Sequence, residues 1–131
     1  MELPPRASGD ELLKPGELAS IRLRLQALAP QHDLTTVIAY AFDHRTRMLP
    51  FIGADTRMVP AGVRAIGSAM VYVGFEKTRI VLQQWNPKFR PSQMRLDGRI
   101  PDLFMISSMQ IHTAPCKALI QDACRIAPEH R

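Results

Sequence analysis

The first predicted element is a helix, indicated by apolar residues at helical spacing near the start of the chain. The apolar positions of this stretch are Leu18, Ile21, Leu25 and Leu28. Their spacing predicts a helix over Glu17–Leu28 that ends at Pro30. The preceding residues 1–15 contain three prolines, a glycine and few large apolar side chains, which indicates a loose lead-in.

The segment 35–42, TTVIAYAF, is almost entirely β-branched or apolar. This predicts a strand buried on both faces, as in a parallel sheet. A polar connection over 43–59 follows, long enough to be either functional or disordered. Pro60 then opens a second helix, and Gly74 is placed to end it. The predicted buried face of this helix is Val63, Ile66, Gly67, Met70 and Val71.

Two further apolar runs, 79–85 and 102–107, predict the second and third strands, and the proline-rich stretch 86–101 between them predicts a loop. A last helix is expected from Thr113, as its capping residue, to about 126. Its predicted buried face is Cys116, Leu119, Ile120, Ala123 and Cys124.

Strands alternating with helices predict an α/β fold. We expect a partial Rossmann-like, or flavodoxin-like, parallel sheet of about three strands in the order 2-1-3, with flanking helices. Residues 1–30 form the lead-in and first helix, and residues 31–131 form the α/β domain. No fourth strand is predicted, and an apolar third strand would leave its edge unpaired. We therefore expect the domain to be incomplete and to have no catalytic turnover by itself.

Composition narrows the function classes. The net charge is +5, but the basic residues are scattered and aromatic residues are few, which argues against nucleic acid. No apolar stretch is long enough for a membrane span and no secretory signal is seen, so we expect a cytoplasmic protein without a membrane partner. Cys116 and Cys124 make neither a disulfide framework nor a metal motif, and no catalytic set is visible.

Three segments resemble the N-terminal cobalamin-binding domain of radical S-adenosylmethionine (radical SAM) proteins. They are 60–85 (PAGVRAIGSAMVYVGFEKTRIVLQQW), 101–109 (PDLFMISSM) and the helix 113–126 with the following Ala127-Pro128. The resemblance implies a domain that holds cobalamin, or keeps the fold without it, beside a catalytic radical SAM domain. That partner domain, with its iron–sulfur cluster and S-adenosylmethionine, would lie outside this chain.

The sequence departs from the family pattern at two motifs. The cobalamin-ligand motif Asp-x-His-x-x-Gly is missing, and Asp43-His44 is the nearest approach. Many proteins of the family also lack this histidine. The cluster motif Cys-x-x-x-Cys-x-x-Cys is absent as well. No metal ligand is therefore predicted.

Ligands of open parallel sheets bind at the carboxyl ends of the strands, where the strand order reverses. In the order 2-1-3, this point lies between the first and third strands. The predicted cofactor-binding residues are Asp43, His44, Arg45, Pro60, Gly62, Trp85, Asn86, Ser107, Ser108, Met109 and Gln110. The resemblance implies that 107–110 line the lower face of the corrin ring.

Simpler interpretations stay open for most of these residues. Ser107 and Ser108 could merely end the strand, residues 43–47 could be a solvated basic loop, and Trp85 could pack under the following loop. His112 could cap the last helix or face the ligand. Three functions remain: the cobalamin-binding domain, a degenerate interaction module that uses the open edge of the third strand, and a receiver-like regulator. The regulator ranks last because only Asp43 of its acidic cluster is present.

Overall fold

The computed structural model describes residues 14–46, 60–109 and 112–126. Its elements are α1 (Glu17–Leu28), β1 (Thr36–Tyr40), α2 (Ala61–Tyr72), β2 (Thr78–Leu82), β3 (Leu103–Ser107) and α3 (Thr113–Cys124). Short 3-10 helices lie at Ala29–Gln31, His44–Thr46 and Pro91–Gln93. The predicted helices and strands are confirmed, although each strand is shorter than predicted.

The three strands form one parallel sheet in the order β2-β1-β3, which confirms the predicted fold class. The central strand β1 pairs Ile38 with Ile80 of β2 and with Met105 of β3. Every residue of β1 is buried, and Val37 and Ile38 have no exposed surface. The continuous apolar run of the sequence therefore reflects burial on both faces of the sheet.

Alternate residues of β1, and of the two residues that follow it, contact different helices. Ile38, Tyr40 and Phe42 form one cluster with Val63 of α2 and Leu82 of β2. Ala39 and Ala41 form another cluster with Leu119 of α3, against which Ile106 and Phe89 also pack. The sheet therefore has a helix on each face, and β1 contributes to both layers of the core.

The predicted buried faces of α2 and α3 are broader than the observed ones. Ile66 and Val71 of α2 are exposed, and so are Ile120 and Cys124 of α3. Each helix contacts a narrow sheet through one strip, centred on Val63 and Gly67 in α2 and on Leu119 in α3. The other apolar positions extend past that strip.

Two smaller differences concern helix termini and α1. The N-cap of α3 is His112, and Thr113 is the first helical residue instead of the cap. Helix α1 has no buried residue, and Leu18 is 67% exposed although it belongs to the predicted apolar face.

Among the described helices, none is long and apolar enough to span a bilayer.

Helix α2 ends in a Schellman motif. The Phe75 N–H donates to Met70 O, and the Gly74 N–H donates to Val71 O, at 3.0 Å each. Gly74 has φ +108°, a conformation that only glycine adopts without strain. Phe75 is buried in a cluster with Met70, Val73 and Ala29, so the motif directs the chain from α2 into β2.

Gly74→Ala should destabilise the protein by about 1–2 kcal/mol, because alanine is strained at this φ. Its Cβ would also lie 3.0 Å from the Ala29 Cβ. Gly62→Ala is the matched control: no atom lies within 4 Å of its added Cβ, and its φ is not positive. Urea denaturation of both variants measures the difference, and equal stabilities would contradict the proposed role of Gly74.

Hydrogen bonds between Thr35 and Asp102 connect the amino ends of β1 and β3. The Asp102 carboxylate accepts hydrogen bonds from the Thr35 N–H at 2.8 Å and from the Thr35 hydroxyl at 2.6 Å. The Asp102 N–H in turn donates to Thr35 O at 2.9 Å. The two bonds from Thr35 lower the pKa of the Asp102 carboxyl below its usual value, because they stabilise the ionised form.

Asp102→Asn should lower the free energy of unfolding by about 1 kcal/mol at neutral pH, a modest value because the carboxylate is largely exposed. Since the pKa of Asp102 is depressed on folding, its contribution is present above about pH 4 and is lost as the pH falls further. The two proteins should therefore converge in stability near about pH 2–3. Asp97→Asn removes a carboxylate at an exposed turn and is the control. A stability difference independent of pH would contradict this account.

Candidate functional site

The carboxyl ends of β1 and β3 lie side by side. The sequence predicts the ligand site at this position. Tyr40 is the register partner of Ser107, and the Ala41 N–H donates to Ser107 O at 2.8 Å. Because β2 lies on the other side of β1, the strand order reverses between β1 and β3. We call residues 43–45, residues 107–109 and His112 the switch-point rim.

His112 joins the two loops of the switch-point rim. Its Nδ1 accepts a hydrogen bond from the Asp43 N–H at 3.1 Å. The backbone N–H of His112 donates to Met109 O at 2.9 Å. The ring lies 4.6 Å from the Phe42 ring and is only 2% exposed. Of the two roles left open for His112, the structure shows the first in its position: His112 is the N-cap residue of α3, although its side chain makes no capping hydrogen bond and instead holds the backbone after β1.

Asp43 and Arg45 form an ion pair within the switch-point rim. The guanidinium donates from Nε to Asp43 Oδ1 and from Nη2 to Oδ2, both at 3.0 Å, and the Arg45 N–H also donates to Oδ1. These bonds from Arg45 lower the pKa of Asp43 to about 2. A ligand anion would therefore compete with Asp43 for this guanidinium, whose side chain is 83% exposed.

The remaining residues of the rim differ in exposure. The half-buried His44 ring lies edge-on to Phe42 at 5.1 Å, in the 3-10 turn that follows β1. Ser107 and Ser108 are half-buried, whereas Met109 is 56% exposed. Gln110 lies outside the described residues.

The other predicted site residues lie at the same end of the sheet as the switch point. Pro60 and Gly62 are at the start of α2. The other end of α2 lies near the amino end of β1, where Ala29 and Phe75 belong to one apolar cluster. Trp85 and Asn86 follow β2, on the far side of β1 from β3. Their N–H groups and the Asn86 amide donate to Leu82 O, so both belong to the turn that ends β2.

Gln83 holds the backbone beside the switch-point rim but is not among the residues predicted from the sequence. This residue is 8% exposed, and its Oε1 accepts a hydrogen bond from the Phe42 N–H at 3.0 Å. It thereby holds the first residues after β1 from the β2 side, while His112 holds them from the β3 side. The available signal was the pair of glutamines in the otherwise apolar run RIVLQQW, since a buried polar side chain needs a partner.

Comparisons with other proteins do not assign this chain to a family. Protein-family models, curated proteins and solved structures each give no match to this chain. Within the described part of the chain, no group of three or more His, Cys, Asp or Glu side chains is arranged to hold a metal ion.

Gln83→Met should cost about 1–3 kcal/mol, because it leaves the buried Phe42 N–H without its acceptor while nearly conserving volume. Gln93→Met, in an exposed position, should change stability by less than about 0.5 kcal/mol. Amide hydrogen exchange would show whether the N–H groups of Phe42 and Asp43 lose their protection in Gln83→Met. Unchanged protection of these two amides would contradict the role given to Gln83.

Proposed function

We propose that this chain is a cobalamin-binding α/β domain that works beside a catalytic radical SAM domain. The observation that carries the proposal is the switch-point rim. The ends of β1 and β3 are joined through Ala41, Ser107, Asp43 and His112, and small polar residues surround this junction. A flat ligand would rest on a preformed surface at the position that parallel sheets use for cofactors.

In this proposal, the described residues of the switch-point rim would hold one face of the planar cofactor. Ser107, Ser108 and the backbone near Met109 would contact the ring and its amide side chains through short hydrogen bonds. The His112 ring is buried and its Nδ1 accepts from Asp43, while the His44 ring packs against Phe42. In this proposal, these two side chains hold the backbone and the Phe42 ring beside the ligand, and neither is assigned to the metal. The bound cofactor would supply organometallic chemistry at cobalt.

The partner domain in this proposal would supply the iron–sulfur cluster and S-adenosylmethionine. The present chain would contribute only binding and orientation, which agrees with the expectation that it has no catalytic turnover by itself. This part of the proposal is supported by the resemblance of 60–85 and 101–109 to radical SAM proteins.

One observation favours a second candidate, an interaction module without cofactor. All five residues of β3 are half-exposed, and the strand pairs with β1 on one side only in the described structure. The register places the N–H and C=O of Phe104 and Ile106 on the open side. A partner strand could extend the sheet there.

The cobalamin proposal is tested by titrating the purified chain with hydroxocobalamin. We expect pigment to co-migrate with folded protein in gel filtration. Ser107→Trp should reduce binding at least about tenfold, because the indole would cover the surface where the ring rests. Ser107→Ala tests the same position without added bulk and should bind within about threefold of the wild type.

Ser20→Trp on the exposed helix α1 controls for an added tryptophan. Circular dichroism of each variant separates misfolding from loss of binding. Folded wild-type protein that carries no pigment would overturn the cobalamin proposal and favour the interaction module. Equal pigment on wild type and a folded Ser107→Trp variant would place the cofactor elsewhere.

A further inference from the structure

Strand β2 has an open edge of its own, on the opposite side of the sheet from β3. The Thr36 N–H donates to Lys77 O, and the Gln83 N–H donates to Tyr40 O. With the parallel register, these bonds place the backbone groups of odd-numbered β2 residues toward β1. The N–H and C=O of Ile80, in the middle of β2, therefore face the open side, where the described residues place no strand.

Two apolar grooves flank this edge, and Ile80 lines both. A groove of about 600 Å³ lies between α2 and β2 and includes Val71, Tyr72 and Ile80. A groove of about 510 Å³ lies beyond the other face and includes Val81, Trp85 and Phe89. Tyr72 is 67% exposed and Trp85 is 53% exposed. The backbone of an added strand would thus have apolar surface available to its side chains on both faces.

The charged side chains that line the two grooves are all positive. Arg64 and Arg79 line the first groove, and Lys88 lines the second. Among the described residues that line either groove, none is acidic. The Arg79 guanidinium donates to the Thr78 carbonyl, so its orientation along the edge is partly fixed.

The same charges argue against a second copy of this chain as the occupant. If two copies paired through β2, their arginines and lysines would be brought together in one interface, which is unfavourable. The chain as a whole carries +5, which adds to the repulsion. An acidic partner, in contrast, gains from both the local and the overall charge.

We propose that the β2 edge binds an extended segment of a partner protein that combines acidic with apolar side chains, by addition of a strand beside Ile80. Main-chain hydrogen bonds to Ile80 supply affinity, and the two grooves select valine-sized or larger apolar side chains. Arg64, Arg79 and Lys88 select acidic residues. This surface is separate from the switch-point rim, so the two proposals can fail independently.

The probe is a C-terminally amidated heptapeptide, Glu-Val-Val-Glu-Val-Val-Glu, with fluorescein attached to its N-terminal amine. In an extended strand, this order gives each face both acidic and apolar residues. Binding is measured by fluorescence anisotropy at physiological ionic strength, with Trp85 emission as a second readout. We expect saturable binding and a blue shift of Trp85. A peptide with lysine in place of glutamate should bind at least tenfold more weakly.

Two matched comparisons separate strand addition from general charge attraction. The double variant Arg64→Glu/Arg79→Glu should weaken binding at least tenfold, whereas Arg22→Glu/Arg24→Glu on exposed α1 carries the same charge change and should stay within threefold. The same heptapeptide N-methylated at its three central residues keeps its side chains but loses the N–H donors. It should bind at least tenfold more weakly.

Absence of saturable binding would overturn the proposal, as would equal affinity of the two double variants or of the methylated peptide. Circular dichroism confirms that each variant is folded before its affinity is compared. Gel filtration of the free chain tests the self-association alternative. A dimer that Ile80→Lys dissociates would assign the edge to a second copy and would also overturn the proposal.

Discussion

Complete burial of β1 is the constraint on which the rest of the structure depends. A strand of five residues that is buried on both faces needs a neighbouring strand on each side and a helix on each face. The alternation of Ile38 and Tyr40 with Ala39 and Ala41 divides the core between α2 and α3. The smaller alanines lie on the α3 side, where Leu119 and Phe89 supply the volume. The order β2-β1-β3 and the position of the switch point follow from this central strand.

Polar contacts at the two ends of β1 have different consequences. At the amino end, Asp102 and Thr35 fix the start of β3 against β1, which is a stabilising role. At the carboxyl end, Gln83 and His112 hold the N–H groups of Phe42 and Asp43 from opposite sides. These side chains preorganise the backbone at the position where a ligand would bind, and the ion pair of Asp43 with Arg45 orients the next residues. A preformed surface lowers the entropic cost of binding.

The fold could be predicted from the sequence because β1, α2 and the end of α2 have strong local signals. The run TTVIAYAF, Pro60 and Gly74 each specify one conformation with little help from distant residues. The helix faces were less predictable, since Ile66, Val71 and Ile120 continue an apolar pattern past the strip that a three-stranded sheet covers. Long-range polar contacts were not predictable. The run RIVLQQW indicates that a buried glutamine needs a partner, but nothing local to Gln83, His112 or Asp102 identifies a partner more than 40 positions away.

The central claim is that the ends of β1 and β3 form the ligand surface of this domain, and chemical-shift mapping tests it most directly. Amide shifts of the ¹⁵N-labelled chain would be followed during addition of hydroxocobalamin. We predict that the largest changes fall at residues 43–45, 107–109 and 112, with small changes along β2. Changes centred on 80–89, or spread evenly over the exposed surface, would contradict the account and remove the switch-point rim as the site.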